Sequence, residues 1–249
     1  MLGFAETLFF SAVMGLSIFL SLPIVLSKKT GEMRTKLFNA FAIGILIFLI
    51  GDVFSDAAAI FYNGSYYGYG SSLLYDTVFA AFLAAGFLIL YVVENRSRTG
   101  LSHTNLALII ALGIGFQNLT EGLLFGSLGV NFGLAGAAVV VLVGFIFQNA
   151  TEGFPITSPF FGNLEKKTGV IVLLLLVGGL PTIIGGALGY YYSSKVFDMV
   201  FDGLAVGAIV YVILPMLKNA FKEMDYAKQR MVYLGVFLGF LVGFVVNLI

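Results

Sequence analysis

Eight separate runs of this chain are apolar for the roughly 20 residues that a helix needs to cross the hydrocarbon core of a bilayer. They cover approximately residues 4–26, 37–61, 73–93, 104–128, 133–160, 169–192, 196–217 and 231–249. Only 10% of the residues are charged, where a soluble domain carries about 25%. Spans of a β-barrel would alternate over segments of about ten residues; the run from Val170 to Leu180 does not alternate. The joins are short and several hold Gly, Asn, Ser or charges, as turns do. The chain therefore reads as an all-α integral membrane protein with eight transmembrane helices in one bundle and one domain, residues 1–249. Met1 to Glu6 lacks the basic region of a signal peptide, so the first run is expected to remain as a span.

The basic residues orient the bundle. With the N-terminus outside, the cytoplasmic joins collect Lys28, Lys29, Arg34, Lys36, Arg96, Arg98, Lys166, Lys167, Lys218, Lys222, Lys228 and Arg230. That is 12 of the 13 basic residues, leaving Lys195 opposite. The opposite joins are rich in Tyr, Gly and Ser (62–72) or nearly bare (127–132). The positive-inside rule then places both termini outside, in a multi-pass protein of the cell membrane.

Within this apolar background one polar segment is written twice. Phe116 to Gly122 (FQNLTEG) recurs 31 residues later as Phe147 to Gly153 (FQNATEG), on consecutive spans. Helix neighbours three and four apart share a face, so Gln117, Asn118 and Glu121 form one patch and Gln148, Asn149 and Glu152 another. Equal depth on antiparallel spans requires a turn near residue 134, and the apparent turn is at 129–133. The patches are thus expected within a turn or two in depth, about 5–8 Å. No span carries Lys or Arg in its interior. Carboxylates without a basic partner in a low-dielectric interior either protonate or hold a cation. With amide oxygens beside them, a divalent metal fits; the alternative is interhelical hydrogen-bond glue around neutral glutamic acids.

Further acids gather at the expected outer ends. Asp52 and Asp56 lie four apart on span two, Asp198 and Asp202 four apart on span seven, with Glu6 and Asp76 near the same boundary. A mouth of one sign concentrates cations, and Asp52 and Asp202 lie deepest; ordinary solvated helix ends are the alternative for the rest. Pro155 and Pro159 cannot donate to the carbonyls of Thr151 and Pro155, freeing a carbonyl in the second motif as a ligand or hinge. Pro23, Pro181 and Pro215 read as simple kinks. Gly185 to Gly189 (GGALG) and Gly235, Gly239 and Gly243 read as close-packing positions, with a homodimer face on span eight as the alternative. His103, the single histidine, reads as a solvated join residue.

These features together resemble the ZIP family of divalent-metal transporters over essentially the whole chain. There the fourth span carries HNxPEG and the fifth a related HxxPEG or QDxPEG motif. Gln117-Asn118-x-Thr120-Glu121-Gly122 and Gln148-Asn149-x-Thr151-Glu152-Gly153 stand in their places. Span two, ending in Gly51-Asp52-Val53-Phe54-Ser55-Asp56, is similar to the family's second span, and Asp202 to Pro215 is similar to its seventh. The motif histidines are glutamine here and the prolines threonine. Thr182 stands where family members often add a glutamate on span six, and the histidine-rich cytoplasmic loop is about ten residues long.

The resemblance implies a carrier that moves a divalent cation (zinc, iron, manganese or similar) toward the cytoplasm through a site between the fourth and fifth spans. Gln117, Asn118, Glu121, Gln148, Asn149 and Glu152 would be the ligands; Asp52, Asp56, Asp198, Asp202 and Thr182 would be entry or accessory residues. All-oxygen donors suit Mn²⁺, Fe²⁺, Mg²⁺ or Ca²⁺ better than zinc, although Zn²⁺ also accepts carboxylate. A metal sensor or a cation channel of the same fold is the alternative. No cofactor is expected beyond the transported metal, and no nucleic-acid partner. Enzymatic activity is not expected: with no cysteine and a single histidine, thiolate and serine–histidine chemistry are excluded. The Gly-x-Gly-Asp signature of membrane aspartyl proteases is also missing at Asp52 and Asp202.

Overall fold

The computed structural model describes residues 1–26, 32–61, 73–96, 102–134, 137–161, 168–192, 194–222 and 225–248, and among these there is no strand. The first apolar run is built of α1 (Phe4–Leu16), a 3-10 segment (Ser17–Ser21) and α2 (Leu22–Leu26). Then follow α3 (Glu32–Phe61), α4 (Leu73–Arg96), α5 (His103–Phe132), α6 (Ala137–Thr157), a short 3-10 segment (Ser158–Phe160), α7 (Thr168–Tyr191), α8 (Lys195–Ala220) and α9 (Tyr226–Asn247). Eight of these helical stretches are long and apolar enough to cross a membrane. Lys28, Lys29, Arg98, Lys166, Lys167 and the 62–72 join lie outside the described residues.

Local chemistry sets the helix ends. Ser102 accepts from the backbone N–H of Asn105 at the start of α5, and Asp225 accepts from that of Lys228 at the start of α9. Both are N-caps that satisfy an otherwise orphan donor. The turn after α5 falls later than the 129–133 expected from sequence. Gly129 stays helical, and the break comes at Gly133, whose φ of +65° suits glycine. Asn131 Nδ2 on the Ser127 carbonyl at 2.8 Å and Leu2 N on the Gly129 carbonyl at 2.9 Å fasten that last turn.

The helices pair in two groups. In one, α5 packs along α7, α7 along α1, and α6 closes the ring against the 3-10 segment and α5. In the other, α3 packs along α9 and α8, and α8 along α4. The groups meet where α5 lies on α8 and α3 on α6.

Glycine makes the closest seams. A methyl group on Gly122 or Gly185 would stand 2.2 or 2.1 Å from the carbonyl of Thr182 or Leu119 across the α5–α7 seam. Gly207 meets the Leu83 carbonyl across α4–α8, and Gly239 meets the Phe41 carbonyl across α3–α9. The glycines of α9 therefore face α3 of the same chain. Close backbone approach of this kind replaces the hydrophobic effect as the source of helix association in lipid. Outward-facing positions keep large apolar side chains such as Leu173, Phe237 and Ile184 more than half exposed, a surface that suits hydrocarbon.

Charge is segregated along the bundle. Arg34 and Lys36 begin α3, Lys218 and Lys222 stand at and just beyond the end of α8, and Lys228 and Arg230 lie at the start of α9. Asp52 and Asp56 lie toward the far end of α3, and Asp198 and Asp202 near the start of α8.

Candidate cation site

The duplicated segments lie on α5 and α6, and their side chains meet directly. Asn118 Nδ2 donates to Asn149 Oδ1 at 2.6 Å, so the motifs stand at one level rather than offset by a turn. The later turn at Gly133 brings this about, because the midpoint of the α5–α6 connection then falls near residue 134. Asn118 Nδ2 also donates to the Gly178 carbonyl at 3.0 Å, tying α7 to the pair.

Glu121 is the hub. Its Oε1 accepts from Gln117 Nε2 at 3.2 Å and from Gln148 Nε2 at 2.9 Å, and its Oε2 accepts from Asn149 Nδ2 at 3.1 Å. Gln148 Nε2 reaches Asp52 Oδ2 on α3 as well, at 3.2 Å. Asp52 in turn accepts from Asn247 Nδ2 on α9. Thr120 and Thr151 hold matching positions in the two copies, each hydroxyl donating to the carbonyl three residues back, Gln117 at 2.7 Å and Gln148 at 2.8 Å.

Several oxygens in this nest have no donor. Both carboxylate oxygens of Glu152, the Gln117 Oε1 and the Asn118 Oδ1 are buried without a hydrogen-bond partner among the described residues. Glu152 and Asn118 are wholly buried, and Glu121 is 6% exposed. Buried acceptors without donors are costly, and a cluster of them suits a cation. A side-chain amide turned by 180° offers oxygen where it offered N–H, so Gln117 and Gln148 can serve Glu121 as donors or a cation as ligands. Among the described residues, no three histidine or carboxylate groups form a ready-made metal cluster. The donor set is two glutamates with amide oxygens.

A cavity of about 250 Å³ leads to Glu121 between α3, α5, α6 and α8. Asp52, Asp56, Glu121, Asp198 and Asp202 all line it, with Gln117, Thr120 and Ser127, and among the described residues no lysine or arginine does. The two aspartate pairs separated by some 140 positions in sequence thus share one wall. Glu6 and Asp76 are not in its lining, and neither is Thr182, which packs at the α5–α7 seam beside Gly122. His103 is the exposed first residue of α5.

Two further points bear on the motifs. Their glycines are packing positions: Gly122 against the Thr182 carbonyl and Gly153 against the Ile18 carbonyl, each with under 2.5 Å for a methyl group. Pro155 lies within α6 and Pro159 in the 3-10 segment that follows. The carbonyl that Pro159 leaves free, that of Pro155, accepts from the Ser158 hydroxyl at 2.9 Å, so it is not an open ligand. Asn247 escaped the sequence reading, although a lone amide in an apolar last span was a signal for it. Thr120 and Ser127 escaped it too, because hydroxyls on helices are common.

Asn118→Ala removes two hydrogen bonds at the centre of the nest. It leaves the Asn149 Oδ1 unpaired, at about 1–3 kcal/mol, and unties the Gly178 carbonyl of α7 from the pair. A clear loss of thermal stability in detergent is expected, read by size-exclusion melting. An unchanged midpoint would mean that water replaces the amide.

No protein-family model matches this chain, and no curated protein matches it.

Proposed function

We propose that this protein is a ZIP-type carrier of divalent metal cations, taking them from an acidic outer cavity toward the cytoplasm with both termini outside. The observation that carries this reading is the meeting of the two motif copies. Two glutamates and four amides converge with donorless buried oxygens, at the end of a cavity lined by carboxylates and, among the described residues, by no basic side chain. Hydrogen-bond glue accounts for Glu121, which has three amide donors. It accounts less well for Glu152, which lies beside the Asn118 and Gln148 amides without a hydrogen bond of ordinary geometry, and for the Gln117 Oε1, which has none among the described residues.

The parts divide the work as follows. Asp56, Asp198 and Asp202 gather cations at the cavity and Asp52 passes them inward, because a one-signed, low-dielectric cleft raises the local cation concentration. Glu121 and Glu152 supply the charge that replaces hydration, while Gln117, Asn118, Gln148 and Asn149 supply neutral oxygens. Thr120 and Thr151, which stand where the family motif has prolines, bond back within their own helices; such bonds bend helices slightly. Oxygen donors alone suit Mn²⁺, Fe²⁺, Mg²⁺ or Ca²⁺ better than imidazole-rich sites do, and Zn²⁺ also accepts carboxylate.

The test is uptake into proteoliposomes across Zn²⁺, Mn²⁺, Fe²⁺, Cd²⁺ and Mg²⁺, with wild type beside Glu121→Gln/Glu152→Gln. Saturable uptake that the double variant lacks is the expected outcome. Absence of flux for every metal, with protein shown to be folded and inserted, would sink the carrier.

A further inference from the structure

Away from the acidic cavity, the outer surface of α3, α8 and α9 is hollowed into an open apolar groove of about 410 Å³. Ile47, Leu217, Phe221, Tyr233, Phe237 and Phe240 are in its lining. Tyr233, Phe237 and Phe240 lie three and four apart on one face of α9, and Phe221 packs on Tyr233 with ring centroids 5.5 Å apart. From Tyr233 to Phe240 the groove runs about 10 Å, at 1.5 Å per residue. One leaflet of a bilayer is about 15 Å of hydrocarbon, so the groove reaches most of the way along a single acyl chain.

Its two ends differ. The far end, at Ile47 and Phe240, is hydrocarbon. The near end is crowned by cations: Lys218 and Lys222 directly follow Leu217 and Phe221, and Arg230 stands one turn before Tyr233. Lys36 Nζ donates to the Lys222 carbonyl at 3.0 Å, which brings the basic start of α3 to the same corner. The same stretch carries Glu223 and Asp225, the latter 3.1 Å from Lys228, so Lys218, Lys222, Lys228 and Arg230 outnumber its acids by two. An apolar slot capped by positive charge at one end only does not suit a uniformly apolar helix. It suits an amphiphile with one anionic head.

We infer that this groove is a binding site for an anionic phospholipid, with an acyl chain along Phe237 and Phe240 and the phosphate among Lys218, Lys222 and Arg230. Basic clusters at the cytoplasmic face attract anionic headgroups by about 1 kcal/mol per cation, or roughly fivefold each, and tyrosine favours the headgroup level. The inference rests on the eight helices spanning a bilayer and is independent of what the protein carries.

The chain contains no tryptophan, so Phe237→Trp introduces a unique fluorophore on the groove wall. In phosphatidylcholine vesicles with a minor fraction of phosphatidylglycerol, either lipid is brominated on its acyl chains in turn. Quenching per mole is expected to be at least about fivefold stronger from the brominated phosphatidylglycerol. Lys218→Glu/Lys222→Glu should erase that preference, and Ile184→Trp, on the exposed surface of α7 away from the groove, should show none. Phe240→Trp reports from the same wall if Phe237→Trp does not fold. Equal quenching by the two lipids, or a preference that survives the charge reversal, would overturn the site. So would protection from both lipids that is lost on dilution of the protein in the membrane, which would assign the groove to a second copy of the chain.

Discussion

Glu121→Gln will reduce saturable cation uptake to the level of empty liposomes while the protein stays folded. The two halves of that expectation have separate causes. A carboxylate about 4 Å from a unit charge, at an effective dielectric of 20, contributes about 4 kcal/mol, close to a thousandfold in affinity. Glutamine keeps the shape but gives up the charge. With its carbonyl in the place of Oε1 it can still accept from the amides of Gln117 and Gln148, and only the bond from Asn149 Nδ2 to Oε2 is given up. Glu121→Ala is a different experiment. It strands three buried N–H donors, at about 1–3 kcal/mol each, and should lose both transport and folded yield. Uptake kinetics and size-exclusion profiles on the two variants separate charge from scaffold. Undiminished uptake by folded Glu121→Gln would place the cation path elsewhere.

Gly122→Val will cost more stability than any change of comparable size on the outer faces. Its Cβ would stand 2.2 Å from the Thr182 carbonyl and 2.9 Å from the Gly186 backbone nitrogen. Both are backbone atoms that cannot step aside, so α5 and α7 would have to part along their whole seam. Overpacking commonly costs about 1–3 kcal/mol, and backbone-to-backbone contact leaves no rotamer to absorb it. The expectation is a loss above about 3 kcal/mol, seen as failure to recover monodisperse protein. Gly144→Ala is the control: nothing lies within 4 Å of its Cβ. Exchanging glycine for alanine in a helix favours folding by up to about 1 kcal/mol. If the two variants melt together, the seam is looser than the geometry says.

The eight helical spans were legible because hydrocarbon-length apolar runs have few other outcomes. Hydropathy is blind to hydrogen-bond pattern, however, so the 3-10 segment Ser17–Ser21 inside the first span left no trace in the sequence. The connection after α5 was misplaced by a few residues for a related reason. Gly129 and Gly133 look alike as letters, and only backbone conformation tells the helical one from the left-handed one. The duplicated motif announced that two polar patches would face each other, since polar groups at that depth have nowhere else to go. Which oxygens end up without donors was not legible, because it depends on the direction of each amide. The same holds for Asn247, whose contact with Asp52 joins residues 195 positions apart. The acidic pairs could be read for sign but not for convergence; that required α3 and α8 to be neighbours.

One amide hydrogen-bonds across the boundary between the two helix groups. Gln148 Nε2 serves Glu121 at 2.9 Å within its own group and Asp52 at 3.2 Å in the other. On the proposed reading, a cation seated on Glu121 would repel that N–H, and Gln148 would then turn its oxygen inward or give its hydrogen wholly to Asp52. In either case the grip between α3 and α6 differs between the filled and the empty state. Linkage runs both ways: any force that draws α3 from α6 changes cation affinity by the factor with which the cation changes that grip. If that site holds a cation as proposed, membrane tension, a neighbouring protein or a lipid that bears on α3 would be an effector of occupancy without touching a ligand.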